Sequence, residues 1–269
     1  MIKDITFGQY FPGKSPIHRL DPRLKLVLIL LFIVFIFLSS NAVSLGMMGI
    51  FVLTVALISG VPIGMYLKNI KAIAVVIVLT SVLNALWVKT GTVLIDFWVI
   101  TVTLDGVLRA IFMTTRIIIL ILASSLLTYT TTPTELTDAI ERLLKPLKFI
   151  GLGEAVHIMA MMITIALRFI PTLIEETDKI MSAQKARGAD LESGSFIERI
   201  KALVPILIPL FISSVRRALD LADAMECRCY TGGAGRRRMK QLRLCKGDYV
   251  SAIICFSLFA VVLIFNYIV

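Results

Sequence analysis

Histidine and acidic residues are scarce in this sequence of 269 residues. It has two histidines and 18 acidic residues, against 28 lysines and arginines. From Leu26 to Leu67 there is no charged residue and no histidine over 42 positions. Proton relays and ion coupling within a membrane need paired acidic or histidine groups. Their scarcity argues against a membrane-embedded enzyme or a self-sufficient secondary transporter.

Cysteine is also rare, with four residues in the chain. Cys227, Cys229 and Cys245 lack the C-x-x-C spacing of structural zinc sites, and the histidines, His18 and His157, lie far from them in sequence. We therefore expect free thiols chosen for their small size, and neither a metal nor a cofactor. His157 has apolar neighbours, which favours a packing role over catalysis.

Apolar residues dominate what is present. The hydrophobic fraction is 58% and the mean hydropathy is +0.90, values typical of an integral membrane protein. Because a span needs about 20 apolar residues, the long uncharged run predicts a helical hairpin turning at Ser39 to Asn41. Three further spans are predicted at 72–88, 107–129 and 250–269. The first 25 residues are polar and basic, so we expect no cleavable signal.

The net charge of +10 is distributed as in a membrane protein rather than a nucleic-acid-binding one. Basic residues precede the first predicted span and follow the second, and the turn between them has none. This alternation places the N-terminus in the cytoplasm. Eighteen of the 28 basic and 14 of the 18 acidic residues lie between Pro133 and Asp248. A charged cytoplasmic region is therefore predicted between the fourth and last spans, and the C-terminus is predicted outside.

We predict an all-α integral membrane protein with about five transmembrane helices. Its parts are a cytoplasmic N-terminal segment (1–25), a four-helix transmembrane region (26–129), a cytoplasmic or interfacial domain (130–248) and a last transmembrane helix (249–269). The third part should hold one short and two long helices. Capping patterns place the short helix at 133–149, one long helix at 154–187 and the other from about Ser195 to Arg228.

An alternative topology makes 155–174 and 202–215 a further transmembrane hairpin. Arg168 and Pro171 interrupt the first segment, and the second has only 14 uncharged residues. The hairpin would also place Lys185 and Arg199 outside, against the positive-inside rule. We prefer two long helices lying under or partly within the bilayer.

A short pattern occurs twice, 41 residues apart, at the predicted ends of the two long helices. Residues 183–189 read AQKARGA and residues 224–230 read AMECRCY. Each has an arginine between small residues, which let two backbones approach closely while the guanidinium offers five donors. We call them the first arginine tip and the second arginine tip. Their central residues are Ala186, Arg187 and Gly188, and Cys227, Arg228 and Cys229.

These tips, the spans and the N-terminal residues Gly8 to Tyr10, Pro12, Gly13 and His18 to Arg23 together resemble the transmembrane T component of energy-coupling factor (ECF) transporters. The resemblance covers nearly the whole chain. It implies a non-catalytic subunit that couples two cytoplasmic ABC-type ATPases to a substrate-binding S component for vitamin or metal uptake. It also implies that residues 130–248 are the coupling domain and that the two tips contact the ATPases. The second tip departs from the usual Ala-Arg-Gly.

Methionines mark the first long helix, among them Met159, Met162 and Met181. Flexible thioethers suit a surface that accepts different partners, although core packing is the commoner role. The resemblance implies that this helix face is a candidate contact for the S component.

Two further features are ambiguous in the sequence. Residues Gly8 to Ser15 match the P-loop formula G-x-x-x-x-G-K-[ST], but no strand and helix pattern surrounds them, so we predict no nucleotide binding. Arg116 lies within the fourth predicted span, where a charge is a functional candidate. It can equally extend to the interface or pair with Asp96 or Asp105.

Overall fold

The structure is a computed structural model that describes residues 10–87, 92–97, 100–151, 153–189, 195–232 and 244–268. In these residues the chain forms eight α-helices, a short 3-10 segment (Lys145–Ile150) and two antiparallel strands. The helices are α1 (Pro22–Leu38), α2 (Ala42–Ser59), α3 (Ile63–Trp87), α4 (Leu104–Thr130), α5 (Pro133–Leu143), α6 (Gly153–Ala186), α7 (Phe196–Cys227) and α8 (Lys246–Ile268). The strands are β1 (Val93–Phe97) and β2 (Ile100–Thr103).

The described residues divide into two compact units. The first contains the residues up to Ala139 and those from Leu244 onward, and the second contains Ile140 to Gly232. In the first unit, helices α1, α2, α4 and α8 surround a core of aliphatic and aromatic side chains. The rings of Phe35 and Phe259 stack there with centroids 4.3 Å apart. Helix α3 packs against α4.

Local sequence signals determine where several helices begin and end. The carboxylate of Asp21 accepts from the backbone N–H of Arg23 at 2.9 Å, with Pro22 at the first position of α1. Helix α2 ends at Ser59, and the capping residue Gly60 that follows has φ +71°. The hydroxyl of Thr132 accepts from the N–H of Glu135 at 3.3 Å, so the predicted start of α5 is confirmed.

Several predicted boundaries were wrong. The second span does not continue to Leu67, because Gly60 and the following Val61-Pro62 end α2, and α3 begins at Ile63 rather than Ala72. Helix α5 ends at Leu143 rather than near Phe149, since Pro146 lacks an N–H and the chain continues as a 3-10 segment. The hairpin of β1 and β2 was not predicted at all.

The second unit contains α6 and α7, which pack antiparallel. Three side-chain contacts establish this: Met161 with Tyr230, Glu176 with Ser213, and Gln184 with Pro205. Residue numbers rise along α6 as they fall along α7. The two long helices were predicted from the sequence within one or two residues, and α6 runs without a break through Pro171.

Six described helices are long and apolar enough to cross a membrane: α2, α3, α4, α6, α8 and the part of α7 from Ile200. Helix α1 has 17 residues, which is about 25 Å at 1.5 Å per residue. The all-helical membrane-protein class predicted from the sequence is confirmed.

Candidate functional site

The first arginine tip closes α6 in a left-handed turn. The N–H of Gly188 donates to the carbonyl of Lys185 at 3.0 Å, and that of Ala189 donates to Gln184 at 3.0 Å. Gly188 has φ +86°, which glycine adopts without a steric penalty. These bonds form a Schellman motif, which satisfies the last carbonyl groups of the helix. Arg187 is thereby held just before the turn with its side chain exposed.

The second arginine tip repeats this geometry at the end of α7. The N–H of Cys229 donates to the carbonyl of Glu226 at 2.8 Å, and that of Tyr230 donates to Met225 at 3.0 Å. Cys229 has φ +53°, although it is not glycine. Arg228 is exposed in the position that corresponds to the arginine of the first tip. The repeat is therefore one of backbone hydrogen bonding as well as of sequence.

The two tips lie at opposite ends of the α6 and α7 pair. Arg187 follows the last residue of α6, whereas the hydroxyl of Tyr230, two residues after Arg228, donates to the sulfur of Met161 near the start of α6 at 3.1 Å. The 26-residue separation of Met161 and Arg187 corresponds to about 39 Å of helix. Two exposed arginines with the same local geometry are thus presented far apart on one antiparallel pair of helices.

Comparison with known proteins identifies the family. The sequence pattern of the cobalt transport protein family, CbiQ, matches residues 13–241. The energy-coupling factor transporter transmembrane protein EcfT of Acidaminococcus fermentans is 49% identical over 259 residues, covering 96% of both chains. EcfT of Thermosediminibacter oceani is 48% identical over 260 residues, covering 97% of both chains. EcfT of Bacillus subtilis is 43% identical over 265 residues, covering 98% of this chain and 99% of its own.

The chain belongs to the EcfT family. It is the transmembrane T component of an ECF transporter, a multi-pass membrane protein with a transport role rather than a catalytic one. The resemblance seen in the sequence is confirmed at nearly full length.

The methionines singled out in the sequence are not equivalent in the structure. Met159 and Met162 have exposed fractions of 58% and 54% and follow each other on one face of α6. Met181 is half-buried. Ile158 and Ile163 are exposed beside the first two, so the start of α6 presents a continuous apolar stripe.

A polar contact at the middle of α6 and α7 was missed in the sequence. The two carboxylate oxygens of Glu176 accept from α7, one from the hydroxyl of Ser213 and the other from the guanidinium of Arg217 at 2.7 Å. We call these three residues the central polar contact. A signal was available, because Glu176 and Arg217 are opposite charges separated by the same 41 residues as the two tips.

Arg116 has a structural explanation. Its guanidinium donates to the carbonyl of Ser39, the C-terminal cap of α1, at 2.5 Å, and it lies over the ring of Phe112 at 4.8 Å. A cation is favourable at a helix C-terminus. No carboxylate contacts Arg116 among the described side chains, and the side chain of Asp96 lies outside them. The carbonyl at the end of α1 is thus the partner of Arg116, in addition to the ring of Phe112.

The remaining candidates are His157, three cysteines and a run of arginines. A ring nitrogen (Nδ1) of His157 lies 2.9 Å from a carboxylate oxygen of Glu141, an ion pair when the histidine is protonated. The side chains of Cys227, Cys229 and Cys245 are exposed. The basic residues Arg236 to Arg238 lie outside the described residues.

The segment that matches the P-loop formula forms a turn built around a histidine. Gly8 and Gln9 lie outside the described residues. Beyond them, the N–H of Phe11 donates to the carbonyl of Tyr129 at 3.0 Å, and the imidazole of His18 contacts Ser15 at 2.7 Å and the carbonyl of Phe11 at 3.0 Å. A side chain at Gly13 would meet the imidazole ring at 2.6 Å. The glycine therefore makes room for His18.

Proposed function

We propose that the two arginine tips bind two ABC-type ATPases, one tip to each. The observation that carries this proposal is the repetition of one exposed geometry at both ends of a single helix pair. A pair of similar ATPase subunits would offer two similar grooves, and about 39 Å of helix separates the tips. Each ATPase can therefore be contacted by its own arginine.

The chemistry of the tips suits insertion into a groove with an acidic floor. Arg187 and Arg228 are exposed, and neither forms an ion pair within the described residues. Ala186 and Gly188, or Cys227 and Cys229, add little bulk beside the guanidinium. Charge-assisted hydrogen bonds to carboxylates would then provide much of the binding free energy.

The positions of the tips also support an orientation along the membrane. If α6 and α7 crossed the bilayer, tips at opposite ends would face opposite sides, and one could not reach a cytoplasmic ATPase. We propose that the pair lies along the cytoplasmic surface or partly within it, with the N-terminus also cytoplasmic. The coupling domain would then comprise residues 130–248.

The exposed apolar stripe of α6 supports a contact with a membrane-embedded S component that binds a vitamin or a metal ion. Met159 and Met162 would lie at this contact, whereas Met181 is half-buried and lies about 28 Å further along α6. Movement of the ATPases during ATP hydrolysis would shift the tips, and the long helices would transmit that shift to the S component.

Charge reversal at the tips tests the proposal. Truncating one partner of a buried interfacial charge pair costs about 2 to 5 kcal/mol, a factor of roughly 30 to 5,000 in affinity. Arg187→Glu and Arg228→Glu should each cost at least that much, because like charges would then face each other. Each single variant should abolish transport in proteoliposomes, and the double variant should lose both ATPases on purification.

Arg168→Glu is the matched control, an exposed charge reversal within α6 away from either tip. It should retain both ATPases. Gly188→Leu should weaken assembly without any change of charge, because the added bulk prevents insertion. A double glutamate variant that still purified with both ATPases and transported normally would refute the role of the tips.

Thiol labelling tests the orientation separately. Cys227 provides a natural label at the second tip once the other cysteines are replaced, and Lys185→Cys in a cysteine-free chain provides one at the first. Both should react with an impermeant maleimide from the cytoplasmic side only. Labelling of the two tips from opposite sides would establish the transmembrane hairpin instead.

A further inference from the structure

The central polar contact lies about midway between the two arginine tips along the pair of helices α6 and α7. Glu176 precedes Arg187 by eleven residues, and Arg217 precedes Arg228 by eleven residues. Eleven residues of helix span about 16 Å. Because α6 and α7 are antiparallel, the two tips extend in opposite directions from this contact by equal lengths of helix. The pair therefore has an approximate two-fold axis that passes close to the side chains of Glu176 and Arg217.

The contact opposes both sliding and rotation of one helix against the other. Both carboxylate oxygens of Glu176 are engaged, and their donors, Ser213 and Arg217, lie one turn apart on α7. The side chains of Glu176 and Arg217 have exposed fractions of 21% and 38%. Nearer the tips, the amide of Gln184 contacts the carbonyl of Pro205 at 3.4 Å and the hydroxyl of Tyr230 contacts Met161, and both of these contacts are uncharged. At the position of the charged contact, a small movement of one helix against the other displaces both arginine tips by equal distances.

Resting on the proposed function of the tips, we infer that Glu176 is a positioning residue that sets the spacing between Arg187 and Arg228 and couples the movements of the two bound ATPases. An ordinary stabilising ion pair would be useful anywhere along the helices. A coupling contact is expected at the centre, because equal lengths of helix then separate it from the two tips. Displacement of one tip would then displace the other by a similar distance. Loss of Glu176 should therefore uncouple ATP hydrolysis from transport while assembly persists.

Charge exchange at the centre is the direct test. Glu176→Arg and Arg217→Glu each place like charges together, and the combined exchange restores an attractive pair. Glu176→Gln is a milder variant that keeps the shape of the side chain. Glu175→Arg is the matched control, because Glu175 is the exposed neighbour of Glu176 on the same helix. Each variant is expressed with its ATPases and S component and reconstituted in liposomes.

Three measurements separate positioning from stability. Glu176→Arg and Arg217→Glu should each retain both ATPases and hydrolyse ATP within about twofold of the unaltered complex. Their transport rate should fall about tenfold, the effect expected when the interaction between contacting charges is lost. Glu176→Gln should show a smaller loss of transport, the charge exchange should restore transport to within about threefold, and Glu175→Arg should be silent.

Spin labels report the spacing itself. Ser182 and Asp223 are exposed positions that correspond to each other in the repeat, five residues before each arginine. In a cysteine-free chain, Ser182→Cys and Asp223→Cys should give a narrow distribution of distances. Glu176→Arg should broaden it, and the charge exchange should narrow it again.

Two outcomes would overturn the inference. One is normal transport by Glu176→Arg and Arg217→Glu, and the other is a distance distribution that no variant changes. Loss of the ATPases from the Glu176 variants would assign the residue to assembly and would equally overturn positioning. Failure of the proposed function has a different signature, namely retention of the ATPases when both tip arginines are reversed.

Discussion

Gly188 and Cys229 adopt the same left-handed backbone conformation at the ends of two different helices. Their φ angles are +86° and +53°, and the residues around them form matching hydrogen bonds. A non-glycine residue in this conformation costs roughly 1 to 2 kcal/mol. The second arginine tip therefore carries a steric penalty that the first avoids.

Substitutions at these two positions should change the local stability of the helix ends in opposite directions. Cys229→Gly should stabilise the end of α7 and Gly188→Ala should destabilise the end of α6, each by about 1 kcal/mol. Hydrogen exchange of the backbone amides at each tip measures this locally, where a whole-protein melting temperature would dilute it. Faster exchange in Cys229→Gly would contradict the expectation. Cys227→Gly is the control, because Cys227 is the last helical residue of α7 and glycine there should be unfavourable.

Removing the guanidinium of Arg116 should destabilise the first unit. Arg116→Met leaves the fully buried Ser39 without its donor, which costs about 1 to 3 kcal/mol for an unsatisfied buried group. Unfolding in mild detergent, followed by circular dichroism, measures the loss. Arg109→Met on the same helix changes an exposed arginine and should have little effect. Equal melting temperatures for the two variants would show that the contact with Ser39 contributes nothing.

Asp248 connects the start of α8 to the start of α1. Its carboxylate accepts from the backbone N–H of Cys245 at 2.6 Å and of Asp21 at 2.8 Å, and its side chain is buried. Each bond to a charged acceptor contributes about 1.5 to 3 kcal/mol. Asp248→Ala should therefore lower the melting temperature clearly, and Asp248→Asn, which keeps one acceptor oxygen, should lower it less. A larger loss in the asparagine variant would be inconsistent with this geometry.

The N-terminal glycine and lysine provide a test of structure against nucleotide binding. Lys14 is exposed, so Lys14→Ala should leave ATP hydrolysis by the assembled complex within about twofold of normal, as expected for a surface change. Gly13→Ala should reduce stability, because its side chain would clash with His18. In a true phosphate-binding loop, Lys14→Ala would instead reduce ATP hydrolysis more than Gly13→Ala does. Binding of ATP to the isolated chain, lost in Lys14→Ala, would also contradict our interpretation.

Local patterns predicted much of the fold because they act over a few residues. Thr132 before Pro133 predicted the start of α5, whereas α1 begins at Pro22, four residues before the predicted start of the first span. The long helices were located because capping patterns and the two arginine tips mark their starts and ends. The strands β1 and β2 were missed because their apolar residues, from Val93 to Thr103, resemble those of the neighbouring spans in hydropathy.

The sequence by itself determined the membrane class, the two long helices and the duplicated arginine tips, since each of these depends on residues close together in the chain. Tertiary structure alone decided that α6 and α7 run antiparallel, that Glu176 contacts Arg217, and that Arg116 caps α1 at Ser39. Those pairings depend on how apolar helix faces pack. Leucine, isoleucine and valine at many positions are compatible with several alignments of one helix against another, so side-chain packing, rather than composition, selects one.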